Sequence, residues 1–540
     1  MSFDALIVTI GAAVLLTGAA AASRAESPFR ERIIHSALDS PVQDLCTMIN
    51  IGKHKGAGYC RYRFMPDLFS PEQRAQVEAE VDADRRRIKA VCDRAHALGW
   101  KTYLNSYELH HPDALREKQP EILEELDRAC WFLESKIYEV FSEMPYLDAF
   151  MMTTSESRRW ADTAEEIAAY AVAAHRALKR VEKEQGSPKT LMLRTWLSGW
   201  RERLLLDMFP LRGVPDEVAR DIVLSTKNTT GDFAMMDPFN PLFARTTKYR
   251  QIIEFDVGAA EYRGFNWYPC AMGRRWQQHV QEARRFGVEG VAFAWCPFAP
   301  RADSNKDGWH SGYEVENYGW ANLNATVLAA LVRDPDCDVN AVQRQWVRDH
   351  YGEAAVEPLA RVLEMSYDVM GKIIYTRTIG HNDHSTFAST HIKPTIVERM
   401  QYIFWEWRGA QRPDAVRLLD ITRDNVEAIV REKAEGAAGA REMLAIVEAA
   451  KSSFRADDYD ALHRDLLSLV NYAEANRWYI EVYFRYRLAE TLKGEERERE
   501  MARIAEAIAA GRALQSAEPD FPGRGGPKRF TLLFDAIEEL

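Results

Sequence analysis

Lys101–Ser106 (KTYLNS), Glu121–Phe141 (EILEELDRACWFLESKIYEVF) and Leu147–Thr153 (LDAFMMT) decide the fold. A short apolar run, a charged stretch with apolar residues at helical spacing and a second apolar run make one strand–helix–strand unit. Such a unit feeds a parallel sheet. Reading outward, the unit repeats. Leu45–Met48, Leu191–Trp196, Ile222–Thr226, Ile252–Phe255 and Val288–Trp295 read as further strands, and Pro71–Leu98, Thr163–Glu184 and Met272–Phe286 as helices. Pro71 suits an opening helical turn, where its missing N–H costs nothing. Seven strands, with an eighth expected near the N-terminus, predict the α/β class and a (β/α)8 TIM barrel more than a doubly wound sheet.

Past Asp334-Pro335 the strand signals nearly vanish. Asp338 precedes a helical run through Tyr351, and Asp414–Phe454, Tyr459–Leu488 and Glu495–Gln515 are rich in Ala, Glu, Arg and Leu at helical spacing. The expected organisation is a catalytic barrel over residues 26–333 followed by an all-α C-terminal domain over residues 334–540. Trp405, Trp407, Trp478 and Tyr479 read as core or as the surface of a homodimer rather than a sugar platform. At the other end, the apolar run Ala5–Ala22 closes on Ser23-Arg24-Ala25, as an export signal would. No Lys or Arg precedes Arg24, and Asp4 has the wrong sign for a signal's first segment. The alternative therefore makes Ala5–Ile10 the first barrel strand of a cytoplasmic protein. Either way no membrane span is expected in the processed chain.

Composition narrows the partners. The 540 residues are 46% hydrophobic and 28% charged, a globular balance, and the formal net charge is −11. An acidic chain without clustered Lys and Arg disfavours nucleic acid. Cys46, Cys60, Cys92, Cys130, Cys270, Cys296 and Cys337 are scattered, without metal-ligand spacing, and read as buried free thiols. Neither a GxGxxG after the first strand nor a P-loop is present, so nucleotide chemistry loses its support.

In a barrel, catalytic side chains follow the C-terminal ends of the strands. Tyr107, Glu108, His110 and His111 follow one strand, and Ser155-Glu156 and Trp160 another. Arg194 ends a third; Lys227, Asn228 and Asp232 follow the fourth. Asp256, Glu261, Tyr262 and Trp267 follow the fifth, with Trp309 beyond the last. Glu156, Asp232 and Glu261 thus open from three loops onto one mouth, and paired carboxyls are the minimum equipment for glycoside hydrolysis. Aromatics nearby suit stacking on sugar rings, while Arg194 and Lys227 supply the positive charge a carboxylated sugar requires. Plainer readings compete. Glu156 also reads as a cap on the helix beginning near Ala161, Asp232 as a turn residue in Thr229-Thr230-Gly231-Asp232, and Glu261 as solvated. Glu254 reads as a buried ion-pair member, and His110 as a hydrogen-bonding residue. A metal-dependent sugar isomerase or lyase, with His110, Glu156, Asp232 and Glu261 as ligands, and a catalytically inactive carbohydrate-binding relative are the rivals.

Lys227-Asn228-x-x-x-Asp232-Phe233, Pro238-x-x-Pro241-Leu242-Phe243, Glu254-Phe255 and Glu261-Tyr262-x-Gly264 together resemble the signature region of the family 67 glycoside hydrolases, the α-glucuronidases. Ser155-Glu156 and Leu193-Arg194 upstream, and Ala321-Asn322-Leu323 with Asp334-Pro335 downstream, extend the resemblance over roughly half the chain. It implies Glu156 as general acid, Asp232 and Glu261 as carboxylates that hold and deprotonate water, and Arg194 and Lys227 as a grip on the substrate's uronate. It implies inversion of the anomeric centre with no metal or cofactor, on an oligosaccharide partner. Tyr107, Glu108, His110, Trp160, Asn228, Trp267 and Trp309 complete the expected substrate site. The chain departs from the family where Met152 replaces a second lysine four residues before the acid, and where the gap from Glu254 to Glu261 is one residue longer. The family's β-rich N-terminal domain has no expected counterpart before the barrel.

Overall fold

A computed structural model describes residues 27–34, 45–53, 59–107, 109–153, 163–196, 205–209, 211–230, 235–256, 268–294, 319–380, 413–517 and 532–538. Eight parallel strands close a barrel in chain order: β1 (Glu31–Ile34), β2 (Met48–Lys53), β3 (Lys101–Tyr107), β4 (Ala149–Thr153), β5 (Thr190–Arg194), β6 (Ile222–Lys227), β7 (Arg250–Asp256) and β8 (Gly290–Ala294). The ring shuts where β1 pairs with β8 in the register Glu31↔Gly290 to Ile34↔Phe293. Gly290 is required there: a Cβ would stand 2.6 Å from Ile252 Cγ2 and 2.7 Å from the Glu31 carbonyl oxygen.

The predicted barrel is confirmed, with two corrections at its start. The first strand is Glu31–Ile34, so the closed ring has no edge for Ala5–Ile10. Its charged first half hides it from a search for apolar runs. Arg32 spends that charge locally, donating from Nε to the Leu45 carbonyl at 2.6 Å and from Nη1 to the Phe29 carbonyl at 2.6 Å. The second strand runs later than Leu45–Met48, and its register shifts between Asn50 and Gly52. A glycine and a bulge break the alternation that marks a strand. The proposed export signal at residues 1–25 lies outside the described residues.

Strand alternation sorts side chains into two sets. Ile33, Met48, Tyr103, Ala149, Met151, Met192, Val223, Ile252 and Ala292 fill the barrel interior as an apolar plug. Their sequence neighbours, among them Leu104, Phe150, Met152, Leu193 and Leu224, face outward into the layer beneath the helices. That outer layer is covered by α1 (Pro71–Ala97), α2 (Leu126–Glu143), α3 (Ala164–Gln185) and α4 (Gly273–Arg285). Pro71 opens α1, as the sequence predicts, and Ser70 caps it.

Beyond β8 the described residues are mainly helical, in α5 (Gly319–Arg333), α6 (Val339–Tyr351), α7 (Val356–Ile374), α8 (Arg423–Ala449), α9 (Ala456–Thr491) and α10 (Gly494–Ala517). Among the described residues one small hairpin, β9 (Tyr375–Thr376) with β10 (Ile379–Gly380), interrupts them. Tyr479 is core, Trp478 packs at the edge of the same cluster, and Trp405 and Trp407 lie outside the described residues. Cys46, Cys60, Cys92, Cys130 and Cys270 are buried, Cys337 is half-buried, and Cys296 lies outside the described residues. Among the described residues no helix is long and apolar enough to cross a membrane.

Candidate active site

Above the apolar plug, the inward positions turn polar at the C-terminal end of the barrel. Asn105, Thr153, Arg194, Ser225, Lys227, Glu254 and Asp256 continue the inward parity of β3 to β7. Glu254 is fully buried and Arg194 nearly so. Arg194 Nε donates to Glu254 Oε1 and Oε2 at 3.0 Å each, and Nη2 makes a further contact with Oε1. Ser225 Oγ adds a hydrogen bond to Glu254 Oε2 at 3.2 Å. The carboxylate is thereby satisfied by a guanidinium and a hydroxyl, the condition for keeping a charge out of water. Glu254 is the ion-pair member the sequence suggests. Beneath it, burial and then the Glu254 charge push the Tyr103 phenol well above its ordinary range, with Arg194 opposing. Thr153 Oγ1 donates to Asn105 Oδ1 at 3.0 Å, closing the β3–β4 side of the same layer.

Lys227 ends β6 beside this pair. Its Nζ sits 3.1 Å from the centroid of Trp196, a cation over an aromatic face in a nearly water-free position. Trp196 follows β5, held by its N–H to the Arg194 carbonyl at 2.9 Å, while Thr195 Oγ1 donates to Thr226 Oγ1 at 2.9 Å. The ends of β5 and β6 are thus locked together, and Arg194, Lys227 and Trp196 share one corner of the mouth.

Other expected residues fall differently. Asn228 follows an inward residue and faces outward: its Nδ2 donates to His279 Nδ1 at 3.1 Å on α4. Burial, with the Arg275 charge adding, lowers His279 to about 3, so the ring is neutral and its Nδ1 accepts. Asn228 therefore braces the strand end against α4 rather than lining the mouth. Met152 corrects another expectation. It lies wholly buried in the outward layer of β4, so a cation at this register would point at the helices and not at a sugar. His110 is buried, with its carbonyl accepting from Lys136 Nζ at 2.6 Å; His111 Nδ1 lies 2.9 Å from the Pro112 carbonyl oxygen. Tyr107 ends β3. Glu108, Glu156, Trp160, Asp232, Glu261, Trp267 and Trp309 lie outside the described residues. The competing role for Glu156 is taken elsewhere: Thr163 caps α3, its Oγ1 accepting from the Glu166 N–H at 3.1 Å. Among the described residues no three His, Cys, Asp or Glu side chains gather as a metal-binding group. Three of the four ligands of the isomerase alternative fall outside those residues.

The loop after β6, which carries Asp232, has a built base. Asn240 Nδ2 donates to the Lys227 and Thr229 carbonyls at 3.2 and 3.1 Å, its N–H donates to the Asn228 carbonyl at 3.1 Å, and Thr229 bridges Phe239. One side-chain amide thus does the work of a strand partner.

Comparison with known proteins places this stretch. Residues 201–291, from before β6 into β8, match the glycosyl hydrolase family 67 middle domain. No curated protein matches the chain. Among solved structures, a GH138 enzyme targeting pectin rhamnogalacturonan II superposes with a TM-score of 0.64 at 10% identity, covering 95% of this chain and 83% of that one. A family GH115 4-O-methyl-α-glucuronidase with specificity for decorated arabinogalactans gives a TM-score of 0.42 at 12% identity, over 94% of this chain and 62% of that one. The chain is a (β/α)8 barrel with a helical C-terminal region, similar to the family 67 glycoside hydrolases through the segment that forms β6, β7 and their loops.

Proposed function

We propose that this protein is an exo-acting, inverting glycoside hydrolase that removes a terminal uronic acid or related sugar from an oligosaccharide. The observation that carries the reading is the family 67 match over residues 201–291, because that stretch holds Lys227, Asp232 and Glu261 together. Glu156 donates a proton to the leaving oxygen. Asp232 and Glu261 hold and deprotonate the attacking water, which in an inverting site needs carboxyls about 6.5–9.5 Å apart. Tyr107, Trp160, Trp267 and Trp309, at and beyond the strand ends, suit stacking on sugar rings.

The Arg194–Glu254 pair alters the expected uronate grip. A guanidinium already bound by a carboxylate offers N–H edges but little net charge, so Lys227 becomes the cation that meets the sugar's carboxylate. With Met152 facing the helices, the family's second lysine has no positional equivalent lost here. An export signal at Ala5–Ala22 fits an enzyme acting on polysaccharide.

The test is a panel of uronate-bearing oligosaccharides with product anomers followed by NMR. Release of a terminal sugar with inverted configuration is expected. Glu156→Gln should slow substrates with poor leaving groups far more than activated aryl glycosides. Retention of configuration, or equal loss on both substrate types, would overturn the assignment.

A further inference from the structure

The helices after the barrel hold the loops that follow β6 and β7. Both polar groups of Met235 are taken by tyrosine hydroxyls: its N–H donates to Tyr375 Oη at 3.1 Å, and Tyr367 Oη donates to its carbonyl at 2.8 Å. Met236 lies on α7 at Gly371, where a Cβ would stand 2.8 Å from its Sδ. Tyr375 is itself anchored, because the buried Lys433 ammonium caps the end of α7 through the Lys372 and Tyr375 carbonyls. On the other side, Ser366 Oγ, one residue before Tyr367, accepts from the Ala271 N–H at 2.9 Å. Asn324 of α5 accepts from the Met272 N–H at 3.0 Å and donates to the Cys270 carbonyl at 2.9 Å, and Tyr268 Oη meets Ser468 Oγ of α9 at 3.0 Å. Adjacent residues of one helix, Ser366 and Tyr367, therefore splint the two loops to each other.

Two hydroxyls on the flanking peptide groups of one residue exceed what packing requires, since phenylalanine rings would fill the same space. Such bonds fix height and rotation of the backbone. Met235 stands three residues after Asp232, so chain length alone keeps the two Cα atoms within roughly 11 Å. We propose that Tyr367 and Tyr375 are positioning residues that set the place of the water-activating carboxylate on the β6 loop. The helical region is then part of the catalytic unit, not an appended module. This rests on the reading of Asp232 given above. An error of an ångström in such a group costs about a hundredfold in rate.

The experiment compares the full-length wild type, Tyr367→Phe/Tyr375→Phe and Val447→Ala, a fully buried α8 residue that takes part in none of these side-chain hydrogen bonds. Steady-state kinetics on a uronate-bearing oligosaccharide, thermal midpoints and hydrogen exchange of peptides covering residues 228–240 are measured on each. The tyrosine double variant should exchange faster there and lose at least tenfold in kcat with KM within twofold. Val447→Ala should lose thermal stability and keep kcat. A double variant whose kcat stays within twofold of Val447→Ala overturns the positioning role while hydrolysis by the wild type still stands. A wild type that hydrolyses nothing on the panel overturns the functional reading and this inference with it.

Discussion

Removing Glu254 from beneath Arg194 tests the architecture of the mouth. Glu254 is wholly inaccessible, and the Nε–H of an arginine side chain only 15% exposed is shared between its two oxygens at 3.0 Å each, with a further contact from Nη2. Charge-assisted bonds of this kind are worth about 1.5–3 kcal/mol each. Stripping one partner from a buried pair costs about 3–5 kcal/mol, since the other charge is left without compensation. Glu254→Gln should lose about 3 kcal/mol, because the amide turns a donor toward Arg194. Arg194→Met should lose a similar amount at pH 7, with a pH dependence of its own. Without the guanidinium, burial raises the Glu254 carboxyl above its unfolded value of about 4.3, so stability is retained below that pH and falls as the pH rises toward 7. The double variant Glu254→Gln/Arg194→Met should recover part of the loss, giving a coupling of about 2–3 kcal/mol. Urea unfolding of the four proteins at pH 4.5 and pH 7 measures the cycle. A coupling below about 0.5 kcal/mol, or an Arg194→Met variant equally weakened at both pH values, would refute the reasoning.

Lys227→Met should raise KM about tenfold or more for uronate-terminated substrates and leave neutral counterparts unchanged, measured by initial rates on matched pairs. Met152→Lys should cost several kcal/mol in a melting experiment, because it buries an ammonium among apolar side chains, and should not improve uronate KM. Burial lowers the Lys433 ammonium to about 8, with Glu432 opposing. The unfolded chain therefore binds the extra proton between pH 8 and about 10.4, and stability from this group rises with pH across that window. The difference between wild type and Lys433→Met in urea should show that rise. Thr163→Ala removes the cap of α3 and should cost about 1 kcal/mol, read as a shift in urea midpoint.

The barrel was legible because period-two apolar runs and period-3.6 stretches alternate seven times. Lys101–Tyr107 and Ile222–Lys227 were found to within a residue for that reason. Glu31–Ile34 was not, since two of its four residues are charged and one of its two partners, β8, is the last strand of the barrel in the chain. Inward parity at strand ends was the signal that separated Glu254 and Lys227 from Asn228 and Met152, and it was readable once each strand had a register. A resemblance compares positions without comparing faces, which is why Met152 looked like a lost cation. The tethers on Met235 left no trace in the sequence, because Tyr367 and Tyr375 lie more than 130 residues away along the chain.

Closure of the ring through residues 31 and 290 has a consequence during synthesis. At about 5–20 residues per second, the ribosome needs roughly 15–50 s to move from one to the other. Until then the nascent chain carries two unpaired strand margins, β1 and the latest strand made. Such margins are where foreign chains dock. A pause in translation before codon 290 should therefore increase aggregation or chaperone capture, whereas one after residue 380 should not.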